Sequence, residues 1–467
     1  MEFDTIAGIA SGMGGGIGII RISGPEALKA AGAIFRKKKY LKDPKKEWDQ
    51  AYFEKKETHT IHYGMIVNED GSMLDEVMVL LMKAPRSYTC EDVVEIDSHG
   101  GPFLVQKILK RILHQGVRLA EPGEFTKRAF LNGRIDLAQA EAVMKMISSK
   151  GEFALESATK QLEGRVSGYI EEIRQEILHN MGYIEAALDD PEHISLDGYD
   201  EEITEMLNEN INKISKLVNS FDNGRIMKEG IKTVILGKPN AGKSSLLNLM
   251  LGEDRAIVTD IEGTTRDTLE ENINFNGLSL KIIDTAGIRD TEDLVERIGV
   301  NKAKEIAKEG DLIIYVVDGS RELDDNDREI IKLINDKQAI ILVNKSDMDT
   351  VINIDELKKD SNRDVILFSA KNGEGMDQLE EEIRNMFYSG KVTYNDQVYI
   401  TNARHKEALE NALESLKQVK NSVDAGMPED FYSIDLMDAY TDLGLIIGES
   451  VEDDLVNEIF SKFCMGK

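Results

Sequence analysis

Apolar positions along the chain change their spacing three times. From Thr5 to about Ala120 they come as short runs between turns. Ile19–Ser23, Val77–Met82 and Val93–Asp97 read as strands, and residues 101–115 as a helix. From Leu137 to about Asn219 the spacing becomes helical. Ile170, Ile173, Ile177, Met181 and Ile184 fall on one stripe, and Ile203, Met206, Ile214 and Leu217 on another, with a break at Asp189-Asp-Pro-Glu192. Between about Gly224 and Tyr388 four short apolar runs each end in a polar loop: Lys232–Leu236, Leu280–Ile283, Ala339–Val343 and Val365–Phe368. Helical spacing then resumes through Ala408, Leu409, Ala412, Leu413, Leu416 and Val419, and again through Leu436, Ala439, Leu443 and Ile447. The pattern predicts a multidomain α+β and α/β protein. A strand-rich module occupies residues 1–120, and one helical domain is built from residues 121–223 and 389–467. An inserted α/β module occupies residues 224–388, since domain termini that lie close together make insertion easy.

The polar loops of the inserted module carry the chemistry. Gly237-Lys-Pro-Asn-Ala-Gly-Lys-Ser-Ser245 follows a strand and opens a helix, the context of a phosphate-binding loop. Backbone N–H groups around Asn240, Ala241 and Gly242 and the helix N-terminus face phosphates. Lys243 supplies a cation, Ser244 a hydroxyl for Mg²⁺, and Ser245 continues the turn. Gly263-Thr-Thr-Arg-Asp267 offers Thr265 to Mg²⁺ and the γ-phosphate. Asp284-Thr-Ala-Gly287 places Asp284 at the Mg²⁺ water shell, with Thr285 and Ala286 leading to the Gly287 N–H. Asn344-Lys-Ser-Asp347 provides Lys345 and a carboxylate, Asp347, that pairs with N1–H and the 2-amino group of guanine. Ser369, Ala370 and Lys371 close the base pocket. Five such loops in register specify GTP.

Ile288 stands where Ras-type enzymes carry a water-positioning glutamine. Glu296 in Val295-Glu-Arg-Ile-Gly299 is the candidate replacement, with a solvated helix-start glutamate as its rival reading. No arginine finger is marked, although Arg266, Arg289 and Arg297 are nearby. Asn240, with backbone oxygens of the loop before Thr265, could hold a monovalent cation that supplies the missing charge.

Composition narrows the setting. With 467 residues, 41% hydrophobic and 31% charged, the chain has room for about three ordinary domains. Two cysteines and no basic leader or membrane-length apolar run predict a cytosolic chain that engages no membrane. The seven histidines lack ligand spacing, and His99 reads as a turn or core residue. The net charge of −29 repels a nucleic-acid backbone, so service to RNA needs a local basic patch or a basic partner. A salt-rich cytoplasm is the other source of such acidity. The lysine-rich stretch Arg36–Lys56 reads as a solvated arm, with RNA contact as the alternative. Gly14–Gly18 is no dinucleotide fingerprint, since a strand follows the glycines.

Taken together, Asp4-Thr-Ile-Ala7, Ile20-Arg-Ile-Ser-Gly24, Tyr88-Thr-Cys-Glu-Asp92, His99-Gly-Gly101, Pro122-Gly-Glu-Phe125, Arg128-Ala-Phe-Leu-Asn132, the nucleotide loops and the Cys464-x-Gly-Lys467 tail closely resemble the MnmE (TrmE) family of tRNA modification GTPases. The resemblance covers essentially the whole chain. It implies an N-terminal folate-binding, glycine-cleavage-T-like domain that forms a homodimer, a discontinuous helical domain and a Ras-like P-loop GTPase domain. It also implies an FAD-dependent MnmG-type partner, in a heterotetramer or larger complex. Together they install an aminomethyl-type group on C5 of the wobble uridine of certain tRNAs, with carbon from 5-formyl- or 5,10-methylene-tetrahydrofolate. By the same resemblance Asn240, Thr259, Ile261 and Thr264 match K⁺ ligands, and Ser244 and Thr265 match Mg²⁺ ligands. Asp260, Glu262 and Gly263 lie with them in the GTP-contacting loop. Glu296 matches the water-orienting glutamate, Cys464 a tail cysteine proposed for the modification chemistry (an inert buried cysteine is its rival), and Arg21, Glu95, Arg134 and Lys467 the folate contacts. Ser11-Gly-Met-Gly14 departs from the family's Thr-Pro-Pro-Gly, Met465 from its isoleucine, and Cys90 stands where glycine is common. The runner-up is a regulatory switch of the Era-like class, which shares the phosphate loop and Gly-Thr-Thr-Arg-Asp. A free-standing one-carbon transferase is a third reading, distinguished by turnover without GTP.

Overall fold

The computed structural model describes residues 4–41, 48–149, 152–221, 226, 230–251, 271–275, 278–283, 310–335, 337–361, 363–388, 400–449, 451, 453–463 and 466. Two compact units appear, Met1–Met144 with Gly444–Lys467 and Lys145–Leu443. Helices α4 (Glu124–Leu131) and α15 (Asp453–Ser461) therefore share a unit with the N-terminal strands.

In the first unit seven strands form one sheet in the order β3-β4-β5-β6-β2-β1-β7. They are β1 (Ile6–Ile9), β2 (Ile17–Ser23), β3 (Phe35–Arg36), β4 (Thr60–Val67), β5 (Met73–Met82), β6 (Val93–His99) and β7 (Arg118–Leu119). All pairs are antiparallel except β1 with β7. Alternation sends Ile20, Ile22, Val77, Val79, Leu81, Val94 and Ile96 to one face. There α1 (Ala27–Ile34) and α3 (Pro102–Leu113) cover them in a common core. The opposite face is unusual, because Ile17, Ile61, Tyr63 and Met78 stand exposed on it. Arg21 and Glu95 share that face, opposite one another in register. Gly64 is needed beneath the sheet edge, since a Cβ there would lie 2.2 Å from the Phe35 ring.

In the second unit, α6 (Glu152–Leu162), α7 (Arg165–Asp189), α8 (Tyr199–Asn219), α13 (Ala403–Asp424) and α14 (Asp430–Ile447) supply the helical part. The sequence stripes are its buried lines: Ile170, Ile173, Ile177, Met181 and Ile184 on α7, and Ala408, Leu409, Ala412, Leu416 and Val419 on α13. Met206, Leu413 and Ile447 are only half-buried.

The remaining strands form a six-stranded sheet, order β13-β12-β11-β8-β10-β9. They are β8 (Ile231–Gly237), β9 (Glu271–Phe275), β10 (Leu278–Ile282), β11 (Leu312–Asp318), β12 (Ala339–Asn344) and β13 (Asp364–Leu367). Only β9 runs antiparallel. Every residue of β11 and β12 is buried, as expected for parallel strands covered on both faces. One face packs under α9 (Lys243–Leu251) and α12 (Met376–Tyr388), and the other under α10 (Asp325–Ile334) and α11 (Ile354–Ser361). The chain leaves β8 to build one side of the sheet and returns to build the other. This switch point opens a crevice at the carboxyl ends of the strands.

Candidate functional site

The phosphate-binding loop sits at that crevice, between β8 and α9. Gly237 at φ +153 and Gly242 at φ +104 shape it, and Asn240 adopts a left-handed φ of +62. A Cβ on Gly237 would meet the Val316 carbonyl at 2.5 Å, and one on Gly242 the Asn344 amide at 1.9 Å, so both positions need glycine. Lys243 Nζ donates to the carbonyls of Gly237 and Lys238 at 2.7 and 2.8 Å, curled over its own loop. Burial pushes its pKa down. Ser244 is half-buried and Ser245 exposed at the first turn of α9.

Asn344 ends β12 and ties three loops together. Its Nδ2 donates to the Ala241 carbonyl at 2.7 Å, and its Oδ1 accepts from the Ala370 N–H at 2.9 Å. Lys345, at φ +67, sends Nζ to Asp318 Oδ2 at 2.6 Å. Ser369 Oγ donates to Asp347 Oδ1 at 3.0 Å, and Lys371 Nζ lies 4.0 Å from Asp347 Oδ2. The phosphate loop, Asn344–Asp347 and Ser369–Lys371 thus converge as the sequence predicts. Thr259, Asp260, Ile261, Glu262, Gly263, Thr264, Thr265, Asp284, Thr285, Ala286, Gly287 and Glu296 lie outside the described residues.

One anchor carried no sequence signal. Lys238 pairs with Asp324 and, at 2.9 Å, with Asp327, a carboxylate only 1% exposed. Tyr315 Oη donates to the other oxygen of Asp327 at 2.8 Å. The variable part of the phosphate-loop motif is thereby fastened to α10, a link that only tertiary packing creates.

A second cluster lies in the first unit. Arg21 Nε donates to Glu95 Oε1 at 2.7 Å. The Arg21 and Arg134 guanidinium groups lie 5.5 and 4.9 Å from the centre of the Tyr88 ring. Arg21 also faces the Phe125 ring at 5.5 Å and donates to the Gly466 carbonyl at 3.4 Å. Gly466, at φ +82, is pressed so close to Ile9 that a Cβ would lie 2.0 Å from its carbonyl oxygen. Two predicted folate residues, Arg21 and Arg134, therefore meet one aromatic ring beside the tail, and a third, Glu95, is bonded to Arg21, while Lys467 and Cys464 lie outside the described residues. Tyr88 was visible only as part of a motif. An aromatic ring contacted by two guanidinium groups, one of them paired with a carboxylate, suits a flat, polar-edged ring joined to an anionic chain.

His99 departs from expectation. Its ring is 71% exposed, its Nδ1 meets Asp75 Oδ1 at 2.7 Å, and that bond raises its pKa. Cys90 sits at φ +60, a left-handed conformation in which glycine is unstrained. No group of three or more His, Cys, Asp or Glu side chains among the described residues could hold a metal ion. No described helix is long and apolar enough to cross a membrane.

The model described as "GTP-binding protein TrmE N-terminus" matches residues 5–134, and "MnmE helical domain" matches residues 137–464, a span that includes the nucleotide-binding segment. The tRNA modification GTPase MnmE of Lachnoclostridium phytofermentans is 53% identical over the full length of both chains. Those of Acetivibrio thermocellus and Clostridioides difficile are 48% and 47% identical over 99% of both chains. Among solved structures, the G domain of the T. maritima FeoB iron transporter is 22% identical over 33% of this chain and 96% of that chain, with a TM-score of 0.25. On the family models and the full-length relatives, the chain belongs to the MnmE family of tRNA modification GTPases and is a GTP-hydrolysing enzyme of tRNA modification.

Proposed function

We propose that K⁺-stimulated GTP hydrolysis by this chain, acting with an FAD-dependent MnmG-type partner, drives addition of an aminomethyl or carboxymethylaminomethyl group to C5 of the wobble uridine of certain tRNAs. The carbon comes from 5-formyl- or 5,10-methylene-tetrahydrofolate. The meeting of Arg21 and Arg134 at Tyr88, with Glu95 bonded to Arg21 and Gly466 of the tail against it, carries this reading. Glu95 suits the amino-pyrimidinone edge of a pterin, and the cations suit glutamyl carboxylates. A bound folate supplies the one-carbon unit, and these side chains hold and orient it.

At the GTP site Mg²⁺ supplies charge neutralisation at the phosphates and K⁺ the cation that an arginine finger would otherwise provide. Ser244 and Thr265 would hold the first. Asn240, Thr259, Ile261 and Thr264 would hold the second, and Glu296 orients the attacking water. The exposed position of Asn240 on the left-handed turn of the phosphate loop supports its part. Homodimerisation is supported by the unpartnered apolar sheet face carrying Ile17, Ile61, Tyr63 and Met78. The modules of this reading are a folate and dimer domain at 1–120, helical segments at 121–223 and 389–467 and the GTPase at 224–388, in a cytoplasmic protein. Cys464 stands in the tail as a participant in the modification chemistry.

Equilibrium titration with 5-formyltetrahydrofolate tests the cluster. Wild type binds, and Arg21→Ala weakens binding by at least about tenfold, the loss of one charge-assisted contact. Absence of binding by wild type would remove folate from the function.

A further inference from the structure

The stretch read as a solvated lysine arm is folded. β3 runs into α2 (Lys38–Leu41), and beyond residues 42–47 the chain returns through Trp48 and a 3-10 turn, Gln50–Tyr52, to Lys56. Within 36–41 and 48–56 there are six basic side chains against two acidic ones, in a chain of net charge −29. Beneath them is an aromatic bed. Phe35 lies 5.8, 6.1 and 5.0 Å from Trp48, Tyr52 and Phe53, and Trp48 Nε1 donates to the Gly32 carbonyl at 2.8 Å.

The cations are braced on those rings. Arg36 lies over Trp48 at 5.5 Å, Lys37 and Lys56 over Tyr52 at 5.0 and 4.7 Å, and Lys39 over Tyr40 at 5.2 Å. Among the described residues only Lys55 of the six has a carboxylate partner, Asp49 at 2.6 Å. Lys38 and Lys39 point to solvent on the exposed side of α2. The local field is positive: His62 has its pKa pushed down, first by burial and then by Lys37 and Lys56. A solvated arm would scatter its lysines and pair them with nearby acids. Here ring contacts hold Arg36, Lys37, Lys39 and Lys56, none of which has a carboxylate partner among the described residues, so their charge remains available to an external anion.

We propose that this aromatic-braced strip at the β3–β4 edge is a tRNA-phosphate contact surface. The proposal rests on tRNA being the substrate. An acidic protein of this size repels a phosphate backbone at long range, so binding concentrates where that charge is locally reversed. The rings are covered by the chain's own cations, so the surface reads backbone charge and not base identity.

Binding of tRNA to the full-length protein between 50 and 200 mM salt tests it. Lys38→Glu with Lys39→Glu is compared with Lys358→Glu and Lys359→Glu, an exposed pair on α11 with the same change in net charge. The strip variant is expected to lose at least about tenfold in affinity at low salt, and its log–log salt slope to flatten by about 1.5, the share of two phosphate contacts. The α11 variant stays within about twofold of wild type. Lys38→Gln with Lys39→Gln, giving a smaller shift in the same direction, separates charge from folding, and circular dichroism checks both. Equal effects from strip and α11 variants overturn the proposal and leave the tRNA reading standing. Loss of binding to a protein partner with tRNA affinity unchanged also overturns it, making the strip a protein-docking surface. Wild type that binds no tRNA at 50 mM salt would instead count against direct tRNA contact by this chain.

Discussion

Asp347 is the residue proposed to carry the base selectivity on which the nucleotide reading depends. Its Oδ1 accepts from Ser369 Oγ at 3.0 Å, which leaves the carboxylate fixed at the mouth of the crevice. A carboxylate there accepts from guanine N1–H and the 2-amino group together. Xanthine carries a carbonyl in place of that amine, so an amide side chain would pair with it instead. Asp347→Asn is expected to weaken GTP binding by at least about 100-fold, the consequence of facing a donor with a donor. Binding of xanthosine triphosphate should rise in the same variant, measured by competition titration. Unchanged GTP affinity would mean that the base lies elsewhere. At this scale the loops carrying Lys243, Asn344 and Asp347 were legible as motifs, and the structure brings those loops together. The strap from Asn344 to Ala241 spans 103 positions and leaves no local trace. The core alternative for His99 fails because the ring stands exposed at the end of β6, bonded to Asp75, 24 positions away, a partner its motif does not hint at.

The helix α4 holds a charged junction that its own sequence only half reveals. Arg128, 2% exposed, bonds to the Asp4 carbonyl, Asp4 Oδ1, Glu91 and Glu124 Oε1. Arg118 bonds to both Asp4 and Glu124. The Arg118 hydrogen bond leads the lowering of the Asp4 pKa. For Glu124 burial pushes upward most, yet Arg118, the Glu121 N–H and Arg128 together bring the net shift down. A carboxyl whose folded pKa lies below its unfolded value stabilises above the unfolded pKa. That stabilisation is lost as pH falls through the folded one. Urea unfolding followed by the fluorescence of Trp48, the chain's single tryptophan, should therefore show this unit weakening below about pH 4. Arg128→Met should cost about 3 kcal/mol at neutral pH, because Glu91 and Glu124 are left without it, and should flatten the acid dependence. A variant as stable as wild type at pH 7 would contradict this. Elements were legible where one period dominated, as in α7, α13 and the strands β8, β10, β12 and β13 that end in motif loops, whereas the fully buried β11 was not singled out. The β3–α2 segment was not legible, because its fold comes from rings packing across the chain, and its lysines suggested a solvated arm first and RNA contact second.

At the scale of the molecule, the change of period from short runs to helix to buried strand and back marked out the helical segments flanking the nucleotide-binding sheet. What the pattern could not reveal is that Gly444–Lys467 shares a compact unit with residues 1–144. That docking depends on single contacts, such as Gly466 against Ile9 and Gly123 beside Phe463, which have no periodicity. The tail thus reaches the Arg21 cluster, and GTP turnover in the second unit is proposed to govern one-carbon chemistry there. The most direct measurement is mass-spectrometric analysis of wobble nucleosides after tRNA is incubated with this protein, the FAD-dependent partner, a tetrahydrofolate and K⁺. The expected result is modified uridine with GTP and none with GDP, with Na⁺ in place of K⁺, or with Lys243→Ala. Equal product from wild type and Lys243→Ala would contradict the coupling of GTP hydrolysis to modification.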